Sequence, residues 1–394
     1  MTISEDIKIQ PATQVINNTI AYAQQENIPV AIWRHPEEQN IQLIVDFSPE
    51  LKHNPEPMES KVPGFIFAPY DTHADTYLIK ADLQIILPDY QANCKSDYHI
   101  SAKADAFFNY LDNAGEVSNP QGSIKTSLVE GAKENFMGLV EKSVDAIKSG
   151  TFQKVVLSRR KEITFDHLLN IGENFIRLTE NYPSAFVSLV YVPQTGLWLG
   201  ATPELLISVK GNTFKTVALA GTQQYEEGMS LANVAWTQKE IEEQALVCRY
   251  IINCFKKIRL REYEELGPKT IVAGNLLHLN TAFKVDMEAT NFNDLGEIML
   301  KLLHPTSAIC GMPLEPAKAF LAAYEKYDRE YFSGYLGPAN FAGDTTLYVN
   351  LRCMHIQDKK AIVFAGAGVT EDSQPEKEWN ETEIKMNTLL KIIR

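Results

Sequence analysis

The pattern of apolar and polar positions along this chain is irregular in its first 120 residues. Helical spacing predicts one amphipathic helix near residues 13–25. Loops rich in Pro, Asn and Asp separate short apolar runs, which predict strands at residues 30–33, 41–47, 64–67 and 83–87. Residues 113–124 are predicted to form a long loop inside a single domain.

From residue 127 onwards the pattern becomes regular. Apolar residues at helical spacing predict helices at residues 128–148, 166–180, 237–259, 294–303, 315–327 and 375–392. Alternating or short apolar runs predict strands at residues 152–163, 185–192, 205–210, 213–219, 272–284, 334–338, 347–356 and 360–364. Because the strands outnumber the helices and often follow one another, we expect a large, mainly antiparallel sheet system with outer helices.

Composition and charge are those of a globular protein. The chain has 394 residues, of which 45% are hydrophobic and 22% are charged. Its net charge of −13 argues against nucleic acid or an anionic membrane surface as the main partner. An anionic substrate would therefore need local positive charge from arginine, lysine or a metal ion.

The cysteines and the N-terminal residues indicate in which cellular compartment the protein is expected. The five cysteines are scattered and form no CxxC pair, as expected for reduced thiols rather than a disulfide framework or a zinc site. The first residues show no secretory signal, and no apolar run is long enough to cross a bilayer. We therefore expect a cytoplasmic protein without a membrane partner.

Two predicted helices begin with paired glutamates. On the C-terminal helix, Glu378, Glu381 and Lys385 fall within about 60° of one another, on a stripe that later becomes apolar. Glu240 and Glu243 repeat this arrangement at the start of the helix predicted at 237–259. Two such starts facing each other could supply oxygen ligands for Mg²⁺. The alternative is two ordinary acidic first turns, which the helix dipole favours.

A lysine and a glutamate next to apolar strands are candidates for proton transfer. Lys154 precedes the apolar run of its strand, and a lysine drawn into a pocket can act as a base. The alternative is a lysine that extends to solvent at a strand edge. Glu204 follows a turn and precedes an apolar strand, where a partly buried carboxyl could keep its proton and act as an acid. The alternative is a solvated turn.

Other candidates lie in or beside predicted strands. His278 is flanked by aliphatic residues, as a core histidine would be. Arg352 in an apolar strand needs an anion, either a ligand carboxylate or an internal partner. Gly221, Thr222 and Gly366 lie near strand ends where the backbone could approach a ligand closely. The glycines after residue 364 lack the rest of a dinucleotide-binding fingerprint, and no nucleophile elbow is present.

Nine segments in order resemble the chorismate-utilising enzymes. They are FQKVVLSR, GATPELL, ALAGT, KEIEEQ, LLHL, LLHPTSAICGMP, REYFSGYLGP, LYVNLRC and AGAGVTEDSQPEKEWNETEIK. The resemblance implies a single α/β domain of large, twisted, mainly antiparallel sheets wrapped by helices. It implies that residues 125–394 are the chorismate-binding catalytic region, and that residues 1–124, which match more weakly, belong to the same domain.

The resemblance also implies a role for each candidate residue. It implies that Lys154 is the general base that activates water for attack at C2, and that Glu204 is the general acid that protonates the leaving C4 hydroxyl. The implied Mg²⁺ ligands are Glu243 and Glu381, with Glu240 and Glu378 as companions. The implied substrate contacts are Gly221, Thr222, His278, Ala308, Arg352, Gly366 and Lys385.

Three positions favour one activity within the family. Lys154 fits water activation, whereas anthranilate synthases resemble one another in having glutamine there. Ala308 and Phe332 stand where salicylate synthases typically have threonine and tyrosine. These residues resemble those of an isochorismate synthase, an isomerase. The alternatives are a salicylate synthase, an aminodeoxychorismate synthase component, and an inactive protein that keeps the fold.

The same resemblance sets expectations about partners. Chorismate is the expected small-molecule ligand, and no amidotransferase subunit is expected because isochorismate formation uses water. A monomer is the expectation at family level. The product would enter either menaquinone or catechol siderophore synthesis, which neighbouring enzymes decide. Gln244 departs from the histidine that commonly follows the acidic pair in this family.

Overall fold

The computed structural model describes residues 10–48, 51–53, 61–115, 124–127, 131–226, 228–273 and 276–393. The helices of this part of the chain are α1 (Ala12–Glu26), α2 (Tyr98–Asn113), α3 (Ala132–Lys148), α4 (Ile171–Asn181), α5 (Gln238–Lys257), α6 (Leu295–Leu303), α7 (Leu314–Tyr324) and α8 (Pro375–Leu390). Within the described ranges, none of these helices is both long and apolar enough to cross a bilayer.

Twenty strands accompany these helices. In chain order they are β1 (Val30–Arg34), β2 (Ile41–Val45), β3 (Lys52–His53), β4 (Gly64–Ala68), β5 (Tyr77–Lys80), β6 (Leu83–Leu87), β7 (Gln91–Cys94), β8 (Ile124–Ser127), β9 (Lys154–Phe165), β10 (Phe186–Val192), β11 (Gly196–Thr202), β12 (Leu205–Lys210), β13 (Thr213–Gln224), β14 (Glu264–Ala273), β15 (Leu276–Asp286), β16 (Gly311–Met312), β17 (Tyr335–Ala339), β18 (Thr345–Val349), β19 (Cys353–Gln357) and β20 (Lys360–Val369).

The strands form two antiparallel sheets. The first sheet has eleven strands in the order β16-β9-β20-β19-β11-β10-β1-β2-β6-β7, with β8 beside β9. The second has nine strands in the order β14-β15-β13-β12-β18-β17-β4-β5-β3. Strands that precede residue 124 pair with later strands in both sheets, as β1 does with β10 and β4 with β17. The predicted single α/β domain of mainly antiparallel sheets is confirmed.

The two sheets pack face to face, and helices cover their outer faces. Aromatic side chains fill the space between the sheets, and the rings of Phe186 on β10 and Tyr348 on β18 stack at 4.1 Å. The α1, α2 and α4 helices pack on the outer face of the first sheet, while α5 and α6 pack on that of the second. The α8 helix packs on β20 and α3. This layering makes both faces of many strands apolar, so hydrophobic alternation is weak in their sequences.

Two of the places where the chain crosses from one sheet to the other lie next to each other. One crossover joins β11 to β12, and the other joins β18 to β19. The two are hydrogen-bonded to each other, because Val349 N–H donates to the carbonyl of Glu204 at 2.9 Å and Ala201 N–H donates to that of Arg352 at 3.0 Å. Glu204 and Arg352 therefore lie side by side at one edge of the space between the sheets.

Several predicted elements were wrong in their bounds. The strand predicted at 347–356 is two strands in different sheets, and Arg352 lies between them at a positive φ of 49° rather than inside a strand. The strand predicted at 272–284 is the end of β14 and most of β15. The strand β11 and the helix α2 were not predicted, and residues 116–123 of the predicted loop lie outside the described residues.

Candidate active site

A cavity opens between the edges of the two sheets. Ten of the thirteen candidate residues line it, namely Lys154, Glu204, Gly221, Thr222, Glu243, His278, Ala308, Arg352, Gly366 and Lys385. The remaining three, Glu240, Glu378 and Glu381, belong to the starts of α5 and α8 beside the cavity. A pocket with convergent charged groups is typical of a small-molecule site.

Lys154 is the first residue of β9, and its side chain is 1% exposed. Lys154, Val156 and Ser158 all line the cavity, as the two-residue period of a strand requires. The Lys154 amine lies 2.8 Å from Oε1 of Glu243 on α5. Burial would raise the pKa of Glu243, but the neighbouring lysines, Lys154 foremost, together outweigh burial and hold this pKa below its ordinary range. The lysine is thus buried and faces the cavity, contrary to the alternative of a solvated strand edge.

Glu204 faces the same cavity from the crossover between β11 and β12. Its carboxyl is buried, and burial raises its pKa to about 7, although three nearby cations oppose the shift. About half of these carboxyl groups therefore hold a proton at neutral pH. A group with this pKa is suited to donating a proton in one step and regaining it in the next.

Arg352 and Lys385 supply positive charge to the cavity. Burial lowers the pKa of Arg352 to about 10, so the guanidinium remains charged at neutral pH. Its Nη1 donates to Thr388 Oγ1 of α8 at 3.2 Å, and it forms no ion pair with any residue that the structure describes. Lys385 donates to Glu381 at 2.6 Å and to the Gly366 carbonyl at 2.9 Å. Arg352 is therefore the cavity cation best placed to take an anionic ligand.

His278 is a neutral hydrogen-bonding group on β15. Its Nδ1 lies 2.6 Å from the carbonyl oxygen of Gly221, and a carbonyl can only accept, so Nδ1 carries the proton. Burial, reinforced by Arg352, lowers the pKa of His278 to about 3. Nε2 is buried and has no hydrogen-bond partner in the part of the chain that the structure describes. The ring therefore presents an acceptor to the cavity rather than a charge.

Two glycines allow backbone and side chains to approach closely. Gly221 has a φ of 69°, and a Cβ there would come within 3.2 Å of Trp236. A Cβ at Gly368 would lie 2.5 Å from Oε1 of Glu243 and 3.1 Å from Cε of Lys154. The family resemblance assigned no ligand contact to Gly368, although this glycine lies at a strand end where close approach was expected. Its position directly after Gly366 and Ala367 at the end of an apolar strand was the signal available in the sequence.

Three acids of the two helix starts are each held by a lysine. Besides the pair of Lys154 with Glu243, Lys239 lies 2.5 Å from Glu378 and Lys385 lies 2.6 Å from Glu381. These acid–lysine pairs form a row from α5 to α8, which we call the glutamate–lysine row. Its members are Glu243, Glu378 and Glu381 with Lys154, Lys239 and Lys385.

Glu240 caps the start of its own helix. Its Oε2 accepts from the backbone N–H of Thr237 at 2.8 Å and from Gln223 Nε2 at 3.0 Å. Thr237 and Glu240 form a capping box, which satisfies backbone donors at the start of α5. The following Gln244 is buried and donates to the Ala218 carbonyl and Thr281 Oγ1. Glu240 therefore stabilises the helix start and has no hydrogen bond or ion pair with the glutamate–lysine row.

The acids of the row suit a hard divalent cation, although they do not form a ready-made cage. Among the described residues, no three acidic, histidine or cysteine side chains converge closely enough to hold a metal ion as they stand. Glu378, however, is fully buried, and its Oε2 has no hydrogen bond of ordinary geometry to any described residue. Glu243, Glu378 and Glu381 all act electrostatically on the same amine, that of Lys239. Their shared neighbourhood and the buried free oxygen fit Mg²⁺, which prefers carboxylate and water ligands.

A buried pair next to the cavity was not found from the sequence. Arg329 lines the cavity, pairs with Glu325 at 2.5 Å and donates to the carbonyls of Ile309 and Val156. Glu325 accepts from Ser158 Oγ at 2.8 Å. This pair holds β9 against the turn that precedes β16. The surrounding residues are polar and aperiodic, so their sequence pattern gave no sign that this arginine is buried.

Comparison with known proteins places this geometry in a family. Residues 62–394 match the family model described as chorismate binding enzyme. This chain belongs to that family. Among curated relatives, the isochorismate synthase EntC of Escherichia coli K12 is 30% identical over 262 residues. That match covers 65% of this chain and 66% of EntC, so the chain matches about two thirds of the relative's length.

Solved structures of the family share the fold. The menaquinone-specific isochorismate synthase MenF of Escherichia coli has a TM-score of 0.80 at 19% identity, covering 98% of this chain and 92% of MenF. Anthranilate synthase component I of Streptococcus pneumoniae has a TM-score of 0.68 at 19% identity, covering 91% of this chain and 89% of the other. Because enzymes with different products share this architecture, the fold alone does not choose among them.

Proposed function

We propose that this protein is an isochorismate synthase, which isomerises chorismate to isochorismate. The observation that carries the proposal is the placement of Lys154 and Glu204 in one cavity, one on β9 of the first sheet and the other at the crossover into the second. A buried amine and a carboxyl with a pKa near 7 are the base and acid that the exchange of two hydroxyl positions needs. The relatives named isochorismate synthase support this activity.

In the proposed reaction one water enters and one leaves. Lys154 in its neutral form removes a proton from water, and the water oxygen forms a bond to C2 of the ring. The ring double bonds shift, the C4–oxygen bond breaks, and Glu204 gives its proton to the departing hydroxyl. Lys154 ends protonated and Glu204 ionised, and proton exchange with solvent restores both groups.

The charges of the cavity match a dicarboxylate. Chorismate carries two carboxylates, and Arg352 and Lys385 are the cavity cations available to them besides the base. Arg352 has no ion pair among the described residues, so it can bind a ligand carboxylate without giving up a protein partner. These local cations answer the problem that a net charge of −13 poses for an anionic substrate.

We propose that Mg²⁺ binds at Glu243, Glu378 and Glu381. When bound, the ion would neutralise carboxylate charge at the substrate and compete with Lys154 for Glu243. Glu240 is left out of this set because its carboxylate caps α5. Lys385 orients the ligand from α8, where Arg352 also finds its hydrogen-bond partner.

Two cavity residues support isochorismate as the final product. Ala308 and Phe332 both line the cavity, and neither carries a side-chain hydroxyl that could assist the further loss of pyruvate. A salicylate synthase would release pyruvate, and an aminodeoxychorismate synthase would need ammonia. We propose that this enzyme uses water without an amidotransferase partner, as a cytoplasmic monomer.

The test is incubation of the purified protein with chorismate and Mg²⁺, followed by chromatographic separation of products. We expect isochorismate and chorismate to reach equilibrium from either side. Salicylate with pyruvate, an amino product in the presence of ammonium, or no turnover would each contradict the proposal. The Lys154→Ala variant should lose conversion, and the matched control Lys360→Ala, at an exposed position of the neighbouring strand β20, should keep it.

A further inference from the structure

Lys239 is the one member of the glutamate–lysine row without a role in the proposed reaction. Lys154 and Lys385 both line the cavity, where they are the proposed base and a proposed substrate contact. Lys239 belongs to the first turn of α5 and does not line the cavity. Its side chain is 28% exposed, and its amine lies 2.5 Å from Oε1 of Glu378 on α8.

The charges around Lys239 come from both helices. Glu378 and Glu381 face it from α8, and Glu243 faces it from its own helix. Burial by itself would lower the pKa of Lys239, but these three carboxylates outweigh burial and hold the pKa above its ordinary value. Lys239 is therefore a firmly charged cation among the three acids proposed to bind Mg²⁺.

Glu378 shows why a cation is needed at this point. Its side chain is 0% exposed, and no described residue donates to Oε2 in ordinary hydrogen-bond geometry, although the nearby Ser373 hydroxyl lowers the pKa of this carboxyl. A buried carboxylate without a countercharge is strongly unfavourable. The ion pair with Lys239 supplies that countercharge at Oε1. A ligand that satisfies both oxygens would compete with the lysine.

We propose that Lys239 is an internal counter-ion of the Glu243–Glu378–Glu381 cluster, and that a divalent cation binds there by displacing the Lys239 amine from Glu378. The inference rests on the Mg²⁺ site of the proposed function and deepens it. Lys239 is a positioning residue, since it holds the acids in the metal-free protein. It also sets metal affinity, because the ion has to break an existing ion pair.

This proposal makes two predictions of opposite sign for the loss of the Lys239 charge. In the metal-free protein, Lys239→Gln removes the counter-ion of a buried carboxylate, so the melting temperature in EDTA should fall. In the same variant the ion no longer has to displace an amine, so Mg²⁺ should bind on the order of tenfold more tightly. A merely structural lysine would lower stability without raising metal affinity.

The test is isothermal titration of the full-length, EDTA-stripped protein with MgCl₂, together with melting curves with and without the metal. Lys239→Arg keeps the charge and should resemble wild type in both measurements. Lys239→Met is a second variant in case the glutamine side chain itself binds the ion. The matched control is Lys133→Gln, because Lys133 pairs with the exposed Glu376 of α8 and should change neither measurement.

The outcomes separate the two proposals. Tighter Mg²⁺ binding by Lys239→Gln or Lys239→Met, with a lower metal-free melting temperature, supports the displacement. Equal or weaker binding than wild type overturns it while leaving the Mg²⁺ site in place. If neither wild type nor the variants bind Mg²⁺, the proposed metal site fails and the displacement fails with it.

Discussion

The helices α5 and α8 begin with the same spacing of two glutamates, and the structure uses the first glutamate of each differently. In α5, Glu240 turns back to the N–H of Thr237 and closes a capping box. In α8, the corresponding Glu378 is fully buried and pairs with Lys239. The second glutamates, Glu243 and Glu381, each pair with a lysine that lines the cavity.

The residue before each helix explains the difference. Threonine three positions before glutamate is the sequence signature of a capping box, and Thr237 precedes Glu240 by that spacing. The N-cap of α8 is Gln374, whose side chain makes no capping hydrogen bond, and Pro375 occupies the first turn instead. Paired acids at this spacing therefore predict that both side chains lie on one face of a helix. The N-cap residue decides whether the first acid caps the helix or takes part in the site.

The largest effect on the rate is expected from Glu204, whose carboxyl lies outside both α5 and α8. We expect Glu204→Gln to lower kcat by about 10²–10⁴-fold, the usual contribution of general acid catalysis. In wild type, the rate should fall as pH rises through about 7, because the acid is active only while protonated. The rate–pH profiles of wild type and variant would be measured by chorismate consumption. A wild-type rate that is flat between pH 6 and 8 in such an assay would remove Glu204 from this role.

The raised pKa of Glu204 also predicts the direction in which stability changes with pH. Because the pKa of Glu204 in the folded protein is raised above that of the unfolded chain, its contribution to stability is fully present at acidic pH. That contribution is lost as pH rises through about 7, where the buried group ionises. Denaturant titrations at several pH values between 5 and 8 give the free energy of unfolding of wild type and Glu204→Gln. This free energy should fall more steeply with rising pH in wild type than in the variant. Parallel slopes would argue against the raised pKa.

The next prediction compares the rates of variants at the two glutamates of α5, Glu243 and Glu240. We expect Glu243→Gln to reduce kcat by about 10²–10³-fold, because it removes a charged group from the cavity and the partner of Lys154. Glu240→Gln should lower stability and leave the rate within a few-fold of wild type, since its carboxylate serves the cap. Steady-state kinetics of both variants decide the comparison. Equal losses of rate would show that both acids of α5 act at the site.

A smaller effect is expected from the first glutamate of α8. We expect Glu378→Gln to weaken Mg²⁺ binding by about 10–100-fold, as for other groups that support a metal site. Glu376→Gln, in the same turn but exposed, serves as the control. Titration calorimetry on the metal-free proteins measures both. An unchanged affinity in Glu378→Gln would place the metal elsewhere.

The smallest effect tests the caps themselves. We expect Thr237→Ala to lower the free energy of unfolding by about 0.5–2 kcal/mol, the usual cost of losing an N-cap side chain. Gln374→Ala should have little effect, because that side chain caps nothing. Denaturant unfolding followed by circular dichroism compares the two. Equal destabilisation would mean that capping does not distinguish α5 from α8.

The sequence predicted most of the site and less of the connections between elements. Lys154, Glu243 and Lys385 were recognisable because each charge lies on an otherwise apolar stripe or strand, and the structure places all three at the cavity. Arg352 was assigned to a strand because the run around it is apolar. The chain in fact changes sheets there, and an apolar pattern does not report such a crossover because both sheets present apolar inner faces.

What the sequence determined by itself is local: which segments are helices or strands, and which charges lie on their inward faces. Motif order further indicated the family and the candidate acid, base and metal-binding groups. Only the tertiary structure decided that Glu204 and Arg352 lie side by side, that Arg329 is buried, and that Lys239 reaches Glu378. These contacts join residues far apart in the chain, and they depend on how the two sheets and their outer helices pack, which no local pattern encodes.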